Sequence, residues 1–187
     1  MRSVTYSLST SLDGYVVGPD GTFDWIDVDD ELMRFLIDEI QDVGVHLMGR
    51  RLYEAMLYWE GTDDELGLDE VNREWAAIWR RLPKVVFSST LSTVQGNARL
   101  ATGSLAQEIE MLRSQPGEGS IAIGGATLAA EAASLGLIDE CLVRVCPVLV
   151  GGGLPYYPQN ELRSDLTLLE SRTFGSGLVF LHYRVKH

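Results

Sequence analysis

Apolar and polar positions alternate from Arg2 to Ser9, and the alternation then lapses over a long stretch, Thr10 to Val28, that carries Asp13-Gly14, Pro19 and Asp20-Gly21. A period of two predicts a strand, and the glycine, proline and aspartate positions predict turns, so a first strand runs into a loop. A loop of this length in a compact domain usually serves a function. Beyond it, Leu32, Phe35, Leu36 and Ile40 recur at helical spacing behind the acidic cluster Asp27, Asp29, Asp30 and Glu31. Carboxylates are favoured where a helix begins, which predicts a helix over about 29–41.

Val45 to Met48 is a short apolar strand that ends at Gly49 and opens a second helix, Arg50 to Leu57. The stretch 60–69 is acidic and is expected to be exposed. Trp75 and Trp79, four apart, mark a third helix from Val71 to Arg81, which Pro83 ends before a strand, Lys84 to Ser88. A helix over 104–114, a strand over 120–123, a helix over 127–135 and a strand over 140–148 follow in turn. Such alternation predicts an α/β fold with a mostly parallel central sheet flanked by helices. The end of the chain differs: 167–174 and 178–185 are strand-like and are joined by Gly175-Ser176-Gly177, which predicts a C-terminal antiparallel hairpin. No repeat or linker interrupts the pattern, so residues 1–187 read as a single domain.

Composition narrows the function. The length, 187 residues with 45% apolar and 22% charged, suits one core. Fifteen basic against 27 acidic residues give a net charge of −12. That charge repels nucleic-acid backbones and anionic membranes, so neither is expected as a partner, and an anionic cofactor would need local basic groups. No apolar run approaches the roughly 20 residues that span a bilayer. Met1-Arg2-Ser3-Val4-Thr5-Tyr6 passes straight into strand alternation instead of a signal core, and a cytoplasmic location is expected. Cys141 and Cys146, five apart in one strand, should face opposite ways and not pair. His46, His182 and His187 have no ligand-like spacing, so no metal is expected.

Three strand ends carry candidate chemistry. In Ile123-Gly124-Gly125-Ala126-Thr127-Leu128 a strand ends in two glycines and a helix begins at once. Bare backbone there can approach a diphosphate, and the helix dipole favours its charge; a tight turn needing positive φ would read the same way. The segment is not the G-x-G-x-x-G fingerprint, which disfavours a standard Rossmann domain. Met48-Gly49-Arg50-Arg51-Leu52-Tyr53-Glu54 repeats the geometry with two guanidinium groups at the helix start. They oppose the dipole there, so either a bound anion or local acids must answer them. Phe87-Ser88-Ser89-Thr90 places hydroxyls where α/β ligands bind, or else caps a turn.

In this order the segments resemble the dihydrofolate reductase superfamily, and within it the riboflavin-biosynthesis reductase (RibD C-terminal) domain and its stand-alone relatives. The resemblance spans nearly the whole chain: Ser11-Leu12-Asp13-Gly14-Tyr15, Met48 to Glu54, Lys84 to Leu91, Ile123-Gly124-Gly125, Pro147 to Gly153 and the closing hairpin. It implies a dihydrofolate reductase-like fold and NADPH bound across the strand ends. Arg50, with Ser88, Ser89 and Thr90, would hold the adenosine 2′-phosphate region, together with Gly49 and Arg51. Gly124, Gly125, Ala126, Thr127 and Leu128 would lie along the diphosphate. The stretch from Leu12 to Trp25 resembles a mobile loop over the nicotinamide, with Gly18 near its middle. The carboxylate that holds the ring in folate reducers maps to Asp30 or Glu31, which could equally be ordinary helix-start acids. Asp13 could touch substrate or form a turn, and Trp25 could stack on a heterocycle or anchor its loop.

The resemblance thus implies an NADPH-dependent reductase that passes hydride to a C=N or C=O bond of a small flat heterocycle, of pterin or aminopyrimidine type. Homodimerisation is implied as well, with the hairpin and Gly151 to Gly153 as contacts. The rival is a non-catalytic NADPH-binding sensor or assembly module, which the same phosphate-binding residues would serve.

Overall fold

The computed structural model describes residues 1–157 and 163–186, so that His187 lies outside the described residues. Strand β1 (Val4–Ser11) leads through β2 (Tyr15–Val17) to helix α1 (Asp30–Gln41), and β3 (Val43–Gly49) leads directly into α2 (Arg50–Met56). A 3-10 turn, Leu57–Glu60, and α3 (Asp63–Leu66) precede α4 (Glu70–Arg81), β4 (Lys84–Phe87) and β5 (Ala98–Leu100). Then come α5 (Leu105–Ser114), β6 (Ser120–Gly124), α6 (Ala126–Ser134), β7 (Glu140–Cys146), β8 (Leu154–Pro155), β9 (Leu166–Thr173) and β10 (Val179–Val185).

Eight strands form one sheet in the order β5-β4-β3-β6-β1-β7-β10-β9. The first six run parallel. β10 pairs antiparallel with both β7 and β9, which is the hairpin that Gly175-Ser176-Gly177 predicted. Because the parallel strands share one direction, their carboxyl ends lie along a single edge. All the strand-end motifs therefore converge there.

Local chemistry explains the helix starts. Asp29 caps α1 by accepting from the Leu32 amide at 2.8 Å, Asp69 caps α4, and Ser104 with Gln107 forms a capping box on α5. Leu47, Ile123, Tyr6 and Cys141, level with one another on β3, β6, β1 and β7, turn to one face and pack with Leu105, Ile109 and Ala129 of α5 and α6. The opposite face holds two separate apolar clusters. Ile40, Met48, Trp79 and Val86 form one near β3 and β4; Leu32, Cys146, Phe174 and Phe180 form the other near β7 and β10. Helix α1 supplies residues to both. Cys141 and Cys146 belong to clusters on opposite faces and are free thiols.

The stretch 10–28 is less of a free loop than its composition predicts. β2 pairs antiparallel with β8, a non-local partner, and the Tyr156 amide donates to the Gly14 carbonyl at 2.8 Å. At Gly153 a side chain could not exist, since φ is +118° and a Cβ would lie 2.0 Å from the Val17 carbonyl oxygen. The acidic stretch 60–69 is not simply solvated either. Thr62 and Glu65 make a capping box for α3, and Glu60 pairs with the buried Lys84 ammonium at 3.1 Å. No helix among the described residues is long and apolar enough to cross a membrane. No cluster of three or more His, Cys, Asp or Glu side chains among them is placed to hold a metal ion.

Candidate active site

Two helices begin with a glycine N-cap and no side-chain cap, and they begin side by side. Met48 pairs with Gly124 across β3 and β6, so Gly49-Arg50 and Gly125-Ala126 leave the sheet at adjacent points. The first amides of α6 (Ala126, Thr127, Leu128) have no intrahelical acceptor, and the N-cap glycine offers no side chain to satisfy them. Phe87 is level with Gly49, so Ser88 emerges next in line from β4. The structure brings these three motifs together on the carboxyl edge.

The two glycines of β6 and α6 differ. A Cβ on Gly124 would lie 2.4 Å from His46 Cε1 and from Leu52 Cδ2, so packing excludes a side chain there. Gly125 has φ +94° and open space, with Leu52 Cβ at 4.0 Å its nearest neighbour. That open, positively disposed backbone is what a phosphate group fits. Ala126 and Leu128 bury their side chains in the core and can offer only amides, whereas Thr127 is exposed.

Arg50 and Arg51 are exposed at the start of α2, and Arg50 lies 3.9 Å from Glu54. Ser88 Oγ accepts from the Thr90 and Leu91 amides at 3.2 and 3.1 Å and meets Thr90 Oγ1 at 3.3 Å, so it closes its own turn. Ser89 and Thr90 face solvent. Gly18 closes a turn with Thr22 and Gly21.

Asp13 accepts from the Val150 and Gly151 amides at 3.2 and 2.7 Å, tying the β1–β2 turn to the glycine-rich segment after β7. A hydrogen bond with Ser11, aided by those amides, holds its carboxyl below the usual range. Trp25 packs on the Leu32-Phe174-Phe180 cluster, with Nε1 buried and without a hydrogen-bond partner among the described residues. Asp30 and Glu31 are exposed in the first turn of α1. Glu31 accepts from the Gly175 amide at 3.0 Å and pairs with Arg172 at 3.4 Å, so it holds the hairpin turn.

Neither acid lines the cavity under α1. That cavity, about 1080 Å³, lies between α1 and the sheet and runs from Arg2, Gly119 and Ser120 at the amino edge to Gly124 at the carboxyl edge. On the sheet side the central strands present Thr5, Ser7 and Leu8 of β1 and Ala122 and Gly124 of β6. Phe35, Leu36 and Glu39 line it from α1, Arg144 from β7 and His46 from β3. Arg144 Nη1 donates to Glu39 at 2.7 Å and to Ser7 Oγ at 2.9 Å, Nε lies 3.3 Å from Ser9 Oγ, and Ser7 in turn donates to Glu39. Burial, helped by the Lys84 charge, pushes the His46 imidazole down to about 4, so it is neutral at pH 7. Its Nδ1 is buried with no partner among the described residues.

The sequence motifs did not point to Ser7, Glu39, His46 or Arg144. A signal was nonetheless present: alternation places Thr5, Ser7, Ser9 and Ser11 on one face of β1. A central strand covered on both sides should be apolar on both, so a hydroxyl face under a helix marks a wet cavity.

A sequence model of the RibD C-terminal domain matches residues 2–180. Two Bacillus subtilis proteins are similar over nearly their whole length. The uncharacterized protein YyaP is 29% identical over 97% of this chain and 94% of its own; the uncharacterized protein YwjB is 26% identical over 97% of both. Among solved structures, a Shewanella sp. PV-4 protein provisionally named for riboflavin biosynthesis superposes with a TM-score of 0.78, at 23% identity and full coverage of both chains. Acinetobacter baumannii RibD superposes at 0.73 with 17% identity, over all of this chain and 58% of its own. A Thermotoga maritima deaminase/5-amino-6-(5-phosphoribosylamino)uracil reductase gives 0.66 at 14% identity, over 99% of this chain and 57% of its own.

Proposed function

The chain belongs to the RibD C-terminal domain family, and on that premise we propose that it is an NADPH-dependent reductase of a small flat heterocycle, of pterin or aminopyrimidine type. The observation that carries the reading is the pair of uncapped, glycine-headed helix starts on neighbouring strands, with arginines at one of them. Amides of Gly125, Ala126, Thr127 and Leu128 would hold the diphosphate. Arg50, Arg51, Ser89 and Thr90 would surround the 2′-phosphate, next to Gly49 and the Ser88 turn. The Gly18 turn and its neighbours would cover the nicotinamide and exclude water.

NADPH would supply the hydride from its C4, to a C=N or C=O carbon. The chain's part is to align that bond and keep it dry. The cavity under α1 is the space for the ring, since it runs to Gly124 and is large enough for a small molecule. The Thermotoga relative's name includes reduction of an aminouracil, which is the chemistry carried over here. Asp30 and Glu31 stand at the same edge as candidate proton donors, and Asp13 and Trp25 as candidate substrate contacts. A cytoplasmic setting suits the two free cysteines. The β9 edge exposes Leu168 and Leu169, 50% and 40% accessible, and a second copy of the chain would cover it.

The test is calorimetric titration with NADPH and NADH, in the wild type and in Arg50→Ala. NADPH should bind about tenfold or more tighter than NADH, and the substitution should close most of that gap. Failure of both nucleotides to bind would refute the reading. A non-catalytic sensor would bind NADPH and oxidise none of it with any heterocyclic acceptor.

A further inference from the structure

We propose that Glu39 and Arg144 form the recognition floor of the cavity under α1, reading the edge of a flat ring that carries an N–H beside a C=O. Glu39 would accept from the ring N–H and Arg144 would donate to the carbonyl. This rests on the reductase reading and assigns the substrate contacts to Glu39, two turns beyond Asp30 and Glu31 on α1, and to Arg144 on β7.

The position argues for a ligand. α1 is anchored by separate apolar clusters through Leu32 and Ile40, with Phe35 and Leu36 packed against the first of them, and one side of the helix borders the cavity. The Arg144 and Glu39 side chains are 8% and 16% exposed there. A buried ion pair is generally no more stabilising than apolar residues of the same volume, so stability gives little reason for one at this place. The pair is also held in a fixed pose: Ser7 bridges the two residues and Ser9 supports Arg144 Nε. Such support preorganises a contact without consuming it. Arg144 Nη2 makes no hydrogen bond among the described residues.

The neutral His46 ring bounds the same space, three strands away from Arg144. Phe35 and Leu36 supply apolar surface for the ring faces. Gly124, beside the backbone assigned to the cofactor, lines the same cavity, and Ser7, which bridges the pair, lies on the neighbouring strand.

The experiment compares two probes, 5,6-diaminouracil and its 1,3-dimethyl derivative, binding to the full chain saturated with NADP+, with NADPH affinity measured in parallel. Methylation removes both ring N–H groups and needs no protein variant. The wild type should prefer the unmethylated probe by about tenfold or more, and Glu39→Gln should erase most of that preference while leaving NADPH affinity unchanged. Arg144→Lys, which keeps the charge, should weaken the unmethylated probe without altering NADPH binding. Equal binding of the two probes, binding of neither by a chain that binds NADPH, or an undiminished preference in Glu39→Gln would each overturn the proposal and leave the reductase reading standing. Absence of NADPH binding would instead remove the reading on which it rests.

Discussion

Replacing Glu108 by Gln should remove one of the larger electrostatic contributions to this fold, and the loss should depend on pH in a defined way. Glu108 is 1% exposed and accepts from Arg99 Nη1 and Nη2 at 3.1 and 2.6 Å, and from the Thr102 amide and hydroxyl at 2.6 and 3.2 Å. Arg99 lies on β5 and Glu108 on α5, so the contact ties the edge strand to the helix that follows it. The Arg99 hydrogen bonds, with those of Thr102, outweigh the opposing effect of burial and hold the carboxyl at about 2 against an ordinary 4.5.

A carboxyl moved that far contributes about 3 kcal/mol of stability at neutral pH. The folded state has the lower value, so the contribution is complete well above 4.5 and is lost as the pH falls through about 2. At about pH 3.5 roughly 2 kcal/mol should remain. Urea unfolding of the wild type and Glu108→Gln, at neutral pH and at about pH 3.5, measures both values. Other carboxylates titrate in both proteins and cancel in the difference. The gap should be about 3 kcal/mol at neutral pH and should shrink by roughly 1 kcal/mol in acid. A gap independent of pH, or one below about 1 kcal/mol at neutral pH, would refute the reasoning.

The adjacent glycines should fail for different reasons when substituted. Gly124→Ala forces a Cβ against His46 and Leu52 and should cost about 1–3 kcal/mol in thermal or urea unfolding, with coupling of about 1 kcal/mol to His46→Ala in a double-mutant cycle. Gly125→Ala meets no such neighbour, should cost about 1–2 kcal/mol through its φ of +94° alone, and should be additive with His46→Ala. Asp13→Ala leaves the Val150 and Gly151 amides without an acceptor, and their hydrogen exchange should quicken by about tenfold; unchanged exchange would remove Asp13 from the role of clamp.

What the sequence determined by itself was whatever local chemistry decides. Periodicity and the acidic helix start located α1, Trp75 and Trp79 with Pro83 located α4, the glycine pair marked the turn into α6, and the strand-helix alternation required a mostly parallel sheet whose carboxyl edge gathers Gly49, Ser88 and Gly125. Elements set by distant partners were not legible. β2 exists because Leu154 and Pro155 come to lie beside it, β5 is three residues on an outer edge, and Glu60 leaves the solvent only because Lys84 is buried beneath it.

The substrate side belongs to the same class. Glu39 and Arg144 are 105 positions apart and meet only because β1 and β7 are neighbours under α1. Glu31, by contrast, has the right residue type in the right turn, yet it is held by Arg172 and Gly175 of the hairpin, 141 and 144 positions away. Cofactor-type sites at strand ends are made of backbone and turn, which a short stretch of sequence specifies. A cavity is made of what several strands and a helix jointly leave unfilled, and only the packed tertiary structure decides that.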